Sequence, residues 1–335
     1  MGLLYFSINQ HLYTPPRSNL ANVPRWRRMD AIAAFHCRKD KVVVIMGATG
    51  TGKSRLSVDL ASRFPFSEII NYDKMQLYSG LDITTNKIPI REQNGVPHHL
   101  LDEFDPSNDE FTASEFRQRA SKLVADISSR RKLPILVGGS NSFIHALLVE
   151  RFDPVLNVFD DSRPTIPSEL TGLRYQCCFL WLDVSLPVLT EYLLKRVDDM
   201  LDSGMVDELA EFYKSSGDST SENGLRKAIG VVEFERYFKE YPPTLEMGGF
   251  CLEDGGGDGM RKGAYESAVR AMKDNTCQLA KRQIRKILRL QRVGWDLQRV
   301  DATAVLRGGG RCSEIWEKDV LEPSYTIVKH FLEDV

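Results

Sequence analysis

Apolar positions along the chain follow two rhythms, a strand-and-helix alternation first and a helical one later. Residues 42–46 (VVVIM) form an unbroken apolar run, short and β-branched, which predicts a buried strand. Leu56, Leu60 and Phe64 then recur at helical spacing. Residues 68–72 (EIINY) predict a second strand with Asp73 at its C-terminal end. Thr112 and Glu115 form a capping box, so a helix should open there and run to about Ser129. Residues 133–137 (LPILV) predict a third strand, stopped by Gly138 and Gly139, and residues 177–182 a fourth.

From Leu186 the rhythm is helical, with Leu189, Leu193, Val197 and Leu201 four apart on one face. Helical patterning continues around 204–213, 226–237 and 264–290, and residues 295–300 predict a strand returning to the main sheet. The glycine-rich, acidic stretch at 247–263 is expected to be a disordered surface insertion. Alternating strands and helices imply a parallel sheet with helices on both faces. The expected organisation is an α/β core at 41–185, to which 293–335 returns, and a smaller helical substrate domain at 186–292.

Composition narrows the classes. At 335 residues, 42% hydrophobic and 27% charged, the chain can build a substantial core. A net charge of −2 argues against a general nucleic-acid coat protein. The six cysteines form no C-x-x-C pair, so neither a zinc site nor a disulfide framework is indicated. No apolar run is long enough to span a bilayer, so no membrane partner is expected. The first 28 residues lack Asp and Glu but carry Arg17, Arg25, Arg27 and Arg28. Residues 1–40 therefore read either as an organellar, plastid-type transit peptide or as a disordered cytosolic extension.

The chemistry concentrates at the end of the first strand. Gly47-Ala48-Thr49-Gly50-Thr51-Gly52-Lys53-Ser54 is a complete phosphate-binding loop between a strand and a helix, the setting of a P-loop NTPase-like sheet. Backbone N–H groups and the positive helix end converge there, Lys53 adds a charge, and Ser54 can hold Mg²⁺. Asp73 and the Gly138–Asn141 turn should gather at the same C-terminal strand ends. Asp73 can hold Mg²⁺ or accept a proton; Ser140 and Asn141 can supply hydrogen bonds. Arg226, Lys227, Lys281 and Arg282 belong to basic clusters that either face solvent or aim cations at a nucleotide's phosphates. The pair His98-His99 points to opposite sides of an extended chain, which disfavours joint metal ligation.

Further motifs follow in a fixed order. They are Asn71-Tyr72-Asp73-Lys74-Met75-Gln76, Asp82-Ile83-Thr84-Thr85-Asn86-Lys87, Val96-Pro97-His98-His99, Gly138-Gly139-Ser140-Asn141, Arg196-Val197-Asp198-Asp199-Met200 and Ala280-Lys281-Arg282-Gln283. Together they resemble the isopentenyltransferases that attach a dimethylallyl group to N6 of adenine. The resemblance spans 41–292 and is closer to the plant-type adenylate enzymes, which make cytokinin precursors, than to the tRNA-modifying branch. No Cys/His finger pattern accompanies Cys312 and His330, so tRNA is not the expected acceptor.

The resemblance implies dimethylallyl diphosphate as donor, ATP, ADP or AMP as acceptor, and Mg²⁺ as cofactor. It implies that Lys53 and the loop hold the diphosphate, that Thr49 reaches the oxygen linking C1 to phosphorus, and that Asp73 accepts the N6 proton. A monomer is expected. One departure stands out: Gly230-Val231-Val232 replaces a Gly-Tyr-Arg/Lys run of the tRNA enzymes, so the diphosphate cation should come from elsewhere, with Arg226 and Lys227 as candidates. The rival readings are a small-molecule kinase using the same loop and a nucleotide-binding switch without chemistry.

Overall fold

Strand β1 (Lys41–Gly47) lies at the centre of a six-stranded sheet, because its alternate residues can be buried on both faces. This computed structural model describes residues 39–106, 110–160, 172–216, 224–242, 258–308 and 312–334. The other strands are β2 (Ser67–Asn71), β3 (His98–His99), β4 (Leu133–Val137), β5 (Gln176–Asp183) and β6 (Leu297–Asp301). Their order is β3-β2-β4-β1-β5-β6, and every pairing is parallel. All C-terminal strand ends therefore share one edge, which collects the loop after β1, Asp73 after β2 and Gly138-Gly139 after β4.

Val42, Val44 and Met46 point into one core cluster, while Val43 and Ile45 point into the other. Helices α1 (Lys53–Arg63), α2 (Ala113–Ser129) and α3 (Asn141–Leu148) cover the sheet. The capping box of α2 is formed, with Thr112 accepting from the Glu115 N–H. Phe116 and Phe143 stack between α2 and α3 on the first face, whereas Leu56 and Leu60 of α1 pack on the second.

Helix α4 (Leu186–Asp202) gives Leu189 and Leu193 to one cluster and Val197 and Met200 to the other. It therefore bridges the two layers, with Arg196 beside the crossing point. Helices α5 (Met205–Ser216), α6 (Val231–Glu240) and the 35-residue α7 (Asp258–Arg292) complete the region read as a helical substrate domain. Asp40–Val335 forms one compact unit, which these helices share with the sheet.

Two expectations need correction. Helix α7 starts at Asp258, so residues 258–263 of the supposed disordered insertion are helical. Once the packed part of α7 has nucleated the helix, added turns cost only the propensity of Gly259 and Gly263, about 1 kcal/mol each. Residues 247–257 of that insertion, like residues 1–38, lie outside the described ones. The two-residue edge strand β3 was not anticipated at His98-His99.

The C-terminal region lies against the sheet. Strand β6 pairs with β5, and α8 (Thr303–Arg307), α9 (Cys312–Trp316), a π turn (Glu317–Leu321) and α10 (Glu322–Glu333) follow it. No helix among the described residues is long and apolar enough to cross a membrane.

Candidate active site

The loop after β1 turns sharply into α1. Gly52 caps that helix in the left-handed region (φ 91°), and a Cβ there would stand 2.9 Å from the Trp316 ring. The C-terminal helices thus press directly on the phosphate loop. Lys53 folds back to donate to the Ala48 carbonyl at 2.7 Å, and the Thr51 hydroxyl donates to the same oxygen at 3.0 Å. Burial is the main force that lowers the Lys53 ammonium to about 8; Asp73 opposes it and Arg196 reinforces it.

Thr49 is a junction. Its backbone N–H donates to Gln283 Oε1 at 2.7 Å, and its hydroxyl oxygen accepts from Arg196 Nη2 at 3.0 Å. The hydroxyl hydrogen of Thr49 is left to donate elsewhere. The Nε of Arg196 is buried without a hydrogen-bond partner, a costly state that a ligand oxygen would relieve.

Asp73 is held by its neighbours. Its N–H donates to Asn71 Oδ1 at 3.1 Å, and Asp73 Oδ1 accepts from the Met75 N–H at 3.1 Å. Burial pushes its carboxyl above the ordinary aspartate value, with Lys53 and backbone donors pulling the other way. A half-buried carboxylate of raised pKa beside cationic groups is suited to take up a proton.

Thr49, Asp73 and Arg196 line one cavity of about 360 Å³. Of the residues expected to bind nucleotide, Ser140, Asn141, Lys227 and Arg282 are on its wall. Arg226 and Lys281 are not on that wall; Lys281 faces solvent on α7. The loop residues Gly47, Ala48, Gly50, Thr51, Gly52, Lys53 and Ser54 build the turn that presents Thr49 and are themselves off this wall.

Arg196 and Gln283 line the cavity too, though neither was assigned a role from sequence, and so does Lys286, which belongs to the same basic run as Lys281 and Arg282. Arg196 and Gln283 stood inside quoted motifs, which was the available signal. A cation reaches the loop from α4, and neither Arg226 nor Lys227 is the group bonded to Thr49. Lys227 instead pairs with Glu110 at 2.6 Å, and Lys74 occupies the other oxygen of that carboxylate.

Among the described residues no group of three or more His, Cys, Asp or Glu side chains could hold a metal ion. The histidine pair is spent structurally: His98 Nδ1 donates to the Val96 carbonyl at 2.8 Å and His99 Nε2 meets Glu68 at 2.9 Å. Magnesium, which keeps several waters and takes few protein ligands beside phosphate, needs no such cage. The Ser54 hydroxyl at the start of α1 and the Asp73 carboxylate are oxygen donors of the right kind.

The pattern of the IPP transferase family matches residues 76–171 and 157–288. The chain belongs to this family. Among IPP transferases it is 59% identical to an adenylate isopentenyltransferase of Humulus lupulus, over 87% of this chain and 90% of the relative. It is 55% identical to the chloroplastic adenylate isopentenyltransferase 1 of Arabidopsis thaliana, over 88% of this chain and 82% of the relative.

Solved structures of the family share the fold. A eukaryotic dimethylallyltransferase acting on tRNA superposes with a TM-score of 0.70 at 26% identity, covering 88% of this chain and 80% of that one. The tRNA isopentenylpyrophosphate transferase of Bacillus halodurans gives 0.66 at 26% identity, covering 88% and 98%.

Proposed function

We propose that this IPP transferase moves the dimethylallyl group of dimethylallyl diphosphate onto N6 of the adenine in ATP, ADP or AMP, the entry reaction to cytokinins. The observation that carries the reading is that Asp73 and the bonded Thr49–Arg196 pair line one cavity. A proton acceptor shares that cavity with donors that can stabilise a departing diphosphate.

The donor's C1–O bond breaks and the diphosphate keeps the electron pair. The Thr49 hydroxyl donates to the bridging oxygen, and Arg196 and Lys53 absorb the growing charge. The N6 lone pair forms the new C–N bond, and Asp73 takes the N6 proton as the amine, otherwise a weak nucleophile, becomes committed. The cavity wall includes Met200, Met272 and Leu279, apolar groups that can shelter the allylic carbon from water. Mg²⁺, which the Ser54 hydroxyl and the donor's phosphate oxygens would hold, would supply further neutralisation of the leaving group.

Free nucleotides are favoured as acceptors by the 59% and 55% identity to enzymes named for adenylate, against 26% for the tRNA enzymes. Lys227, Arg282 and Lys286 on the cavity wall are the cations for the nucleotide's phosphates. Plastid delivery is supported by the acid-free, arginine-bearing start of the chain and by the chloroplastic names of several relatives. The test is a competition among ATP, ADP, AMP and unmodified tRNA for labelled donor. A prenyl unit added to the nucleotide is the expected product; exclusive labelling of tRNA, or phosphate transfer, would overturn the reading.

A further inference from the structure

Gln283 lies on α7, far along the chain from the loop, and is only 6% exposed. Its side chain makes two bonds of opposite polarity. Oε1 accepts from the Thr49 N–H at 2.7 Å, and Nε2 donates to the Gly139 carbonyl at 3.1 Å. Its backbone carbonyl also lies 3.4 Å from Asn141 Nδ2. One residue therefore ties the loop after β1 to the turn after β4. That turn passes close to Asp73, since a Cβ on Gly139 would fall 2.5 Å from Gln283 Nε2 and 3.0 Å from Asp73 Oδ2.

We infer that Gln283 is a positioning residue that fixes the diphosphate side of the cavity relative to the wall carrying the base. The inference rests on the prenyl-transfer reading for what is positioned, but not for how the brace is built. Thr49 has its N–H fixed by Gln283 and its hydroxyl oxygen engaged by Arg196, so its remaining hydroxyl hydrogen is aimed by both. Only a side chain offering an acceptor and a donor on one planar group can satisfy Thr49 and Gly139 together. Arg282 and Lys286 flank Gln283 on the same helix, so the brace also sets where those cations stand against the loop.

The amide's two-sided character gives a test that a merely structural role would not pass. In Gln283→Glu the ionised carboxyl offers two acceptors and confronts the Gly139 carbonyl; when protonated it again offers one acceptor and one donor. Gln283→Met fills the same space with neither. Inorganic pyrophosphate is the probe, with affinity measured by calorimetry and kcat for prenyl transfer measured alongside.

Near neutral pH both variants should lose roughly 100-fold in kcat, the scale of a small misplacement at a reaction centre. The ratio of Gln283→Glu to wild type, in pyrophosphate affinity and in kcat, should rise as pH falls. The corresponding Gln283→Met ratio should stay low and flat. A flat ratio for Gln283→Glu, or wild-type kcat and pyrophosphate affinity in Gln283→Met, would overturn the assignment. A lowered Tm with unchanged pyrophosphate affinity would do the same. Pyrophosphate binding needs no prenyl acceptor, so failure of the transfer reaction in the wild type is seen separately from failure of the brace.

Discussion

Arg196 Nη2 donates to Thr49 Oγ1 across 3.0 Å, joining α4 to the phosphate loop over a sequence separation of 147. The guanidinium gives Thr49 a cationic neighbour, and Thr49 gives the guanidinium a fixed direction. Groups that act as one unit lose their effect together. Thr49→Ala and Arg196→Ala should each lower kcat by roughly 100- to 1,000-fold, the cost of removing a donor to developing charge. The double variant should be little worse than either single one. Steady-state kinetics on the four proteins tests this, and fully multiplicative losses would show that the two side chains act independently.

Asp73 carries a carboxyl whose pKa burial has raised above 3.8. A base works only when ionised, so kcat/KM should fall as pH drops through that raised value and hold above it. Asp73→Asn should cut kcat by roughly 100- to 10,000-fold and abolish this acid limb, while pyrophosphate affinity changes little. Persistence of the same acid limb in the variant would assign it to another group.

Lys53 loses its proton near pH 8 in the free protein, because burial outweighs the attraction of Asp73. An incoming diphosphate prefers the ammonium form. Above that pH the lysine must regain a proton on binding, so affinity should weaken by roughly tenfold per pH unit once well past it. Below it affinity should be level, apart from the ligand's own ionisation. Lys53→Arg keeps its charge and should flatten the alkaline limb. Pyrophosphate titrations over a pH series separate these outcomes, and a wild-type curve that stays flat into alkali would contradict them.

Much of the core was legible because its signals are local. The run at 42–46, the Leu133–Val137 strand and the Thr112–Glu115 cap each depend on a few neighbouring residues, and each formed as read. The placement of Asp73 and Thr49 at the cavity was legible for the same reason, since one stands next to a strand end and the other inside a loop motif. That of Arg196 and Gln283 was not, because their bonds to the loop are made with a partner 147 and 234 positions away. Nothing in the period of α4 or α7 marks one polar residue above its neighbours. The basic cluster shows the converse. Lys281 and Arg282 are adjacent in sequence, yet the helical turn places only Arg282 on the cavity wall. The edge strand β3 escaped because two residues carry no period, and its pairing with β2 is decided by tertiary contact.

Glu68 shows what holds that edge. It is 3% exposed, yet it receives Arg130 Nη2 at 2.9 Å and Lys132 Nζ at 2.7 Å, and it meets His99 of β3 at 2.9 Å. The Arg130 bond is the largest cause that holds its carboxyl well below the usual range, with Lys132 and His99 adding to it against burial. A carboxyl depressed in the folded state stabilises the fold above the unfolded value near 4.5, and that stability drains away as pH falls below it. Glu68→Gln should cost about 2–3 kcal/mol at neutral pH, below the usual price of breaking a buried pair because Arg130 and Lys132 stay partly solvated. The Tm difference from wild type should start to shrink as pH falls through the unfolded value and should go on shrinking until the folded-state carboxyl is itself protonated. A constant difference across the whole pH series would show that shape, and not charge, makes Glu68 matter.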